Sequence, residues 1–169
     1  LKELGELAEI IRQAVKLSGV RAVVALGWGQ QEAKTKDENI FYVKSVPHDW
    51  LFPHMAGAVH HGGAGTTATS LRHALPTLVV PFGGDQPFWA ERVYAAGCGP
   101  KAIPRDKLTA ENLAEGLRAL ISNPEYTRNA ACIGEALRNE HGCANAADLI
   151  EKAVWDWENG NPAQDGMNI

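Results

Sequence analysis

The sequence predicts a doubly wound α/β domain: a Rossmann-like parallel sheet with helices on both faces. Three observations carry this. Short valine-rich apolar runs recur in the first part of the chain, segments of helical periodicity separate them, and the runs end in glycine-bearing loops. Such alternation is the pattern of βαβ units, whose crossover helices cover both sheet faces. Sheets of this kind bind ligands in the crevice beyond the carboxyl ends of their strands.

The elements follow in order. Leu4, Leu7, Ala8, Ile11, Ala14 and Val15 repeat at helical spacing, and Gly19 stands where a C-terminal cap belongs. "VRAVVAL" is a buried strand that runs into the loop "GWGQ", and "NIFYVKSV" is a second strand. "PHDWLFPHM" is a short turn or helix with proline at either end, and "GAVHH" is a brief third strand. "TTATSLRHAL" is a helix, "PTLVVPF" a fourth strand, and "QPFWAERVYAAG" a helix closed by Gly97. The last third is helical. Thr109 is placed as an N-cap with Glu111 in the first turn, and Asn123 caps a helix that has Pro124 at its first position and ends at Gly142. "CANAADLIEKAVWDW" is a further helix, and residues 158–169 lack apolar periodicity and read as a loose tail to a domain spanning residues 1–157.

Composition narrows the function classes. A chain of 169 residues suits one domain with a single core. Its net charge of −4, with no basic run, argues against a nucleic-acid partner. Three cysteines, Cys98, Cys132 and Cys143, show no CxxC spacing, so neither a disulfide framework nor a zinc site is expected, and reduced thiols indicate a cytoplasmic setting. No apolar window approaches the length of a membrane span, and charges interrupt the opening helix, unlike a signal peptide. The chain opens at Leu1 as though already inside a helix, so a piece of a longer protein is expected.

Two loops carry chemistry. In "HHGGAGTT" a glycine-rich segment joins a strand to a helix. The first amides of such a helix lack internal partners and face outward with the positive end of the dipole behind them. Small residues let an anion approach, so Gly63, Ala64, Gly65 and Thr66 form a candidate phosphate cradle, with His61 adding a ring donor. Thr66 and Thr67 are placed to cap the helix. The competing reading is a tight turn whose glycines only permit close packing. No lysine follows the glycines, so this is not a Walker loop, and the spacing is not GxGxxG. Strand alternation turns His60 away from His61, toward a packing role.

"PFGGDQPFWAER" also follows a strand and falls on the same rim. Asp85 and Gln86 together can accept from and donate to adjacent hydroxyls, as a sugar ring requires. Taken alone, Asp85 reads first as the cap of the helix that begins at Pro87.

Taken together, "VPHDWLFPHMAGAVHHGGAGTT", "ALPTLVVPFGGDQPFWAERV" and "AAGCG" resemble the donor-binding half of the UDP-dependent glycosyltransferases of the two-domain GT-B type. The variant is that of the sterol 3-beta-glucosyltransferases and the related antibiotic glycosyltransferases. The likeness is dense from Trp28 to Gly99 and looser to Trp155. It implies that His61 and the backbone of Ala64, Gly65 and Thr66 hold a diphosphate, that Asp85 and Gln86 bind the hexose, and that the backbone of residues 46–48, with Val46 and His48, reads the uracil. Trp28 lies near the same pocket, with a core or lid role equally open, and His48 can equally be the cap of "DWLF". Ser45 and Thr69 stand where the larger plant-type motif has a uracil-stacking tryptophan and a ribose-binding glutamate, which leaves base and ribose recognition unassigned.

The resemblance further implies transfer of glucose from UDP-glucose to a sterol hydroxyl with inversion. No cofactor or metal is expected. The base and the acceptor site would lie in an N-terminal half, and the donor domain's first strand would precede Leu1. Peripheral membrane association would belong to the longer protein. Two other readings stay open: a nucleotide-sugar binding module without activity of its own, and a GT-B transferase for another lipid or polyketide. Exposure of Trp28, Phe88 and Trp89 on the rim would promote self-association.

Overall fold

The computed structural model describes residues 2–25 and 37–160, and Trp28 with its "GWGQ" loop lies outside them. Helix α1 (Lys2–Ser18) ends at Gly19, whose amide donates to the Val15 carbonyl with φ at +74°. Strand β1 (Ala22–Ala25) pairs in parallel with β2 (Ile40–Val43). A short helix α2 (His48–Leu51) passes into a 3-10 turn over Phe52–His54. Strand β3 (Ala58–His60), helix α3 (Ala64–Arg72), strand β4 (Thr77–Val79) and helix α4 (Gln86–Ala95) then make a βαβα unit in which β3 and β4 are parallel neighbours. Helices α5 (Ala110–Ser122) and α6 (Pro124–Asn139) follow.

Strand β4 is buried on both faces, whereas β1, expected as a buried strand, is only partly covered, and Phe41 of β2 and Val59 of β3 are exposed. Successive side chains point to opposite sides. Leu78 packs with Val80, Ala14, Leu113 and Leu120, on the side of α1 and α5. Val79 packs with Leu71, Ala90, Val93 and Ala130, on the side of α3, α4 and α6. A strand with apolar partners on both sides has no room for alternating polarity, hence the unbroken "TLVV".

The ends of the helices are set locally. Thr109 caps α5 through a reciprocal box with Asn112, its hydroxyl accepting the Asn112 amide and the Asn112 side chain accepting the Thr109 amide. Helix α4 closes as a Schellman motif, with the Cys98 amide on the Val93 carbonyl, the Gly97 amide on the Tyr94 carbonyl, and Gly97 at φ +62°. Three expectations about boundaries need correction. Helix α3 starts two residues before the threonines, because Gly63 takes the cap position. Gly142 does not end α6; that helix stops at Asn139, His141 adopts a left-handed conformation, and Gly142 begins α7 (Gly142–Glu158). Glu158 therefore belongs to a helix rather than to the tail, while residues 161–169 lie outside the described ones. Residues Arg138–Ile169 group as a unit of their own, separate from Leu1–Leu137.

The four strands expected are all present, and both pairings are parallel, but β1–β2 and β3–β4 are two separate ribbons. No described strand joins β1 to β3. Between them lies a cavity of about 380 Å³ lined by all of β1 and β3 and by Ile11, Val15 and Leu117. Helices α1 and α5 pack on each other beside it, and α5 also packs on β4.

Gly99 fixes the approach of the chain after α4 to strand β4. A Cβ built there would lie 1.8 Å from the Thr77 carbonyl oxygen, which is backbone and cannot yield without moving the strand. The Gly99→Ala variant should lose about 3 kcal/mol or more of stability, at the upper end of overpacking costs, seen as a reduced midpoint in urea melts.

Candidate functional site

The loops after β3 and β4 leave the same rim, as parallel strands dictate, and they touch. Gly62 adopts φ +92°, open to glycine and strained for other residues. A Cβ at Gly62 would lie 2.5 Å from Val79 Cγ1 and 3.2 Å from the Gln86 carbonyl, so the absent side chain is what lets the two loops close on each other. Gly63 is the N-cap residue of α3 and supplies no side-chain cap. Thr66 and Thr67 fall inside the helix and do not cap it, contrary to expectation: Thr67 is 3% exposed and its Oγ1 has no hydrogen-bond partner among the described residues. The first-turn amides of α3 therefore face outward without a capping side chain, and a Cβ at Gly65 would meet nothing within 4 Å.

The two histidines separate as strand alternation requires. His61 is exposed, and its Nε2 stands 2.6 Å from the Cβ that Gly63 lacks, so the imidazole lies over the cap residue of α3. His60 turns under the sheet. Its Nδ1 accepts the Gly62 amide at 3.0 Å, and its Nε2 lies 3.2 Å from Ser70 Oγ. Ser70 in turn donates to the Thr67 carbonyl, and Thr77 Oγ1 lies 3.1 Å from Ser70 Oγ. Burial, with smaller contributions from His61 and His48, lowers the His60 pKa to about 4.

On the second loop, Asp85 is the N-cap residue of α4 but makes no capping bond. Its Oδ2 instead accepts from Trp89 Nε1 at 2.9 Å. Gln86 Oε1 accepts the amides of Phe82 at 2.7 Å and Gly83 at 3.2 Å. What remains free is complementary: Oδ1 of Asp85 as an acceptor, Nε2 of Gln86 as a donor. Phe88 is exposed as expected, but Trp89 is half-buried, held by Asp85 and packed edge-on against Phe88.

Val46, His48 and Thr66 line the cavity between the ribbons. His48 does not cap α2, where Pro47 holds that position; its ring stacks on Phe52 at 4.7 Å. Thr69 turns its hydroxyl back onto the Gly65 carbonyl at 2.8 Å. The structure thus brings His61, Gly63 and Gln86 to one rim and sets Val46, His48 and Thr66 around an adjoining cavity, while Trp28 lies outside the described residues. Gly62, Ser70 and Thr77 were not singled out from the sequence. The available signal was polarity out of place: a serine on the inward face of α3 and a threonine opening a buried strand.

The His60 geometry makes stability depend on pH. Its folded pKa lies below the ordinary 6.5, so between about pH 6.5 and pH 4 the unfolded chain binds the proton that the folded chain refuses. Stability should therefore fall on acidification, and His60 should contribute on the order of 2 kcal/mol of that loss between pH 7 and pH 5. Urea melts across this range check it: the slope should flatten in His60→Asn.

Residues 9–151 match the family described as erythromycin biosynthesis protein CIII-like, C-terminal domain. The chain is 43% identical over 146 residues to a sterol 3-beta-glucosyltransferase of Arabidopsis thaliana, covering 85% of this chain and 24% of that protein. A sterol 3-beta-glucosyltransferase of Pichia angusta is 39% identical over 151 residues, covering 86% of this chain and 12% of the relative. Among solved structures, the kitacinnamycin glycosyltransferase superposes with a TM-score of 0.72 at 26% identity, over 85% of this chain and 39% of that one. The glycosyltransferase VinC, solved in complex with dTDP, gives 0.71 at 26% identity, over 83% and 37%. The chain thus spans about a quarter or less of these sterol glucosyltransferases. It has the fold of the Rossmann-like C-terminal half of GT-B glycosyltransferases, and it belongs to the family of erythromycin biosynthesis protein CIII-like C-terminal domains.

Proposed function

We propose that this chain is the donor-binding part of a cytoplasmic enzyme that transfers glucose from UDP-glucose to a sterol hydroxyl with inversion at the anomeric carbon. The observation that carries the reading is the open N-terminus of α3, uncapped by any side chain, with the His61 imidazole lying over its cap residue. The names of the sterol glucosyltransferase relatives, and the nucleoside diphosphate in the VinC structure, support it.

In such a displacement the leaving UDP gains negative charge as the glycosidic bond breaks. Preorganised donors aimed at that charge lower the barrier. On this reading the amides of Ala64, Gly65 and Thr66, the α3 dipole and His61 would supply them, without a cofactor. Asp85 Oδ1 and Gln86 Nε2 would bind neighbouring hexose hydroxyls, one accepting and one donating. The uracil would lie toward Val46 and His48, at the cavity between the ribbons. The base and the sterol site belong, on this reading, to other parts of the longer protein, as does any attachment to a membrane surface. The exposed Phe82 and Phe88 would favour association with another protein surface, including a second copy.

In the full-length enzyme, His61→Ala should reduce kcat by about 100-fold, with the donor KM changed much less, because the lost donor acts on charge that develops only in the transition state. Wild-type turnover in this variant would remove His61 from the mechanism. Calorimetric titration with UDP and UDP-glucose tests the binding reading independently of transfer, and failure of both to bind would overturn it.

A further inference from the structure

The proposed function uses His61 and leaves His60 without a role, yet His60 is the more constrained of the two. Both of its ring nitrogens are committed. Ser70 has one hydroxyl proton, which it gives to the Thr67 carbonyl at 3.0 Å, so Ser70 Oγ accepts the proton on His60 Nε2. That fixes the tautomer and leaves Nδ1 as a lone pair, which accepts the Gly62 amide at 3.0 Å. The ring is thereby a bridge between the loop and the first two turns of α3. Thr77, 3.1 Å from the same serine oxygen, ties the bridge to β4.

The residue at the loop end of this bridge is the one with the least freedom to relax. Gly62 sits at φ +92° against Val79 and the Gln86 backbone, and His61 and Gly63 flank it. Losing the acceptor would leave the Gly62 amide unpaired and release the turn that aims both neighbours. We propose that His60 is a positioning residue for the diphosphate loop: through the Gly62 amide it holds the backbone at the turn that presents His61 and the α3 N-terminus to the donor.

This rests on the donor-binding reading, and two separate measurements distinguish the failure of each. In the full-length protein, hydrogen exchange of the Gly62 amide without any ligand reports the latch; the dissociation constant for UDP reports its consequence. His60→Ala should speed Gly62 exchange and weaken UDP binding about ten-fold, the scale of one lost buried hydrogen bond. His60→Asn places an amide oxygen near the position of Nδ1 and should return both readouts to within about three-fold of wild type. His60→Gln carries its amide farther out, near Nε2, and should resemble alanine. A purely structural histidine would lower the melting temperature without separating asparagine from glutamine. Unchanged UDP affinity in a folded His60→Ala protein, or equal behaviour of the two amide variants, overturns the proposal. If wild type binds no UDP, the donor reading falls, and the Gly62 exchange rates still decide whether the latch exists.

Discussion

One neutral imidazole sets the geometry of the rim. His60 can join a loop amide to a helix serine only while it is uncharged, because a second ring proton would place donor against donor at Gly62. Burial enforces that state, holding the pKa near 4. The loop, the first turns of α3 and the start of β4 therefore depend on a single protonation state. The chain can then spend its backbone amides outward, since the turn behind them is fastened from within.

The fold was legible where one signal dominated. Helical spacing gave α1 and α5, Gly19 and Thr109 marked the end of the one and the start of the other, and "TLVV" announced a strand buried on both faces. Boundaries went astray where local chemistry competed. Threonines beside glycines suggested a side-chain cap, but the glycine's extended φ and ψ put Gly63 in that position and left both threonines in the helix. A glycine after a long helix suggested a stop, whereas His141 took the left-handed conformation and Gly142 opened the next helix. The division of the strands into two ribbons has no sequence signature, because β1 and β3 read as buried strands whatever lies beside them.

Of the site, residue types were readable and connections were not. His61 and the Asp85–Gln86 pair stood out by composition. That Gln86 spends its carbonyl on two loop amides, and that Asp85 holds an indole, depend on backbone turns that spacing does not encode. The His60–Ser70–Thr77 connection spans three elements and joins residues seventeen apart, each unremarkable alone. Such networks become visible only once packing has put their members within reach, and low local polarity then makes each bond consequential.

Helix α3 begins without a stopper of its own. On the donor-binding reading, an anion settling on the first amides of this helix would complete it from outside, so that occupancy and folding would share one equilibrium. Apparent stability then climbs with the logarithm of ligand concentration, and a cell short of nucleotide would hold a protein that opens more often and survives proteolysis less well. The supply of the small molecule would thereby govern the lifetime of the polypeptide as well as its output.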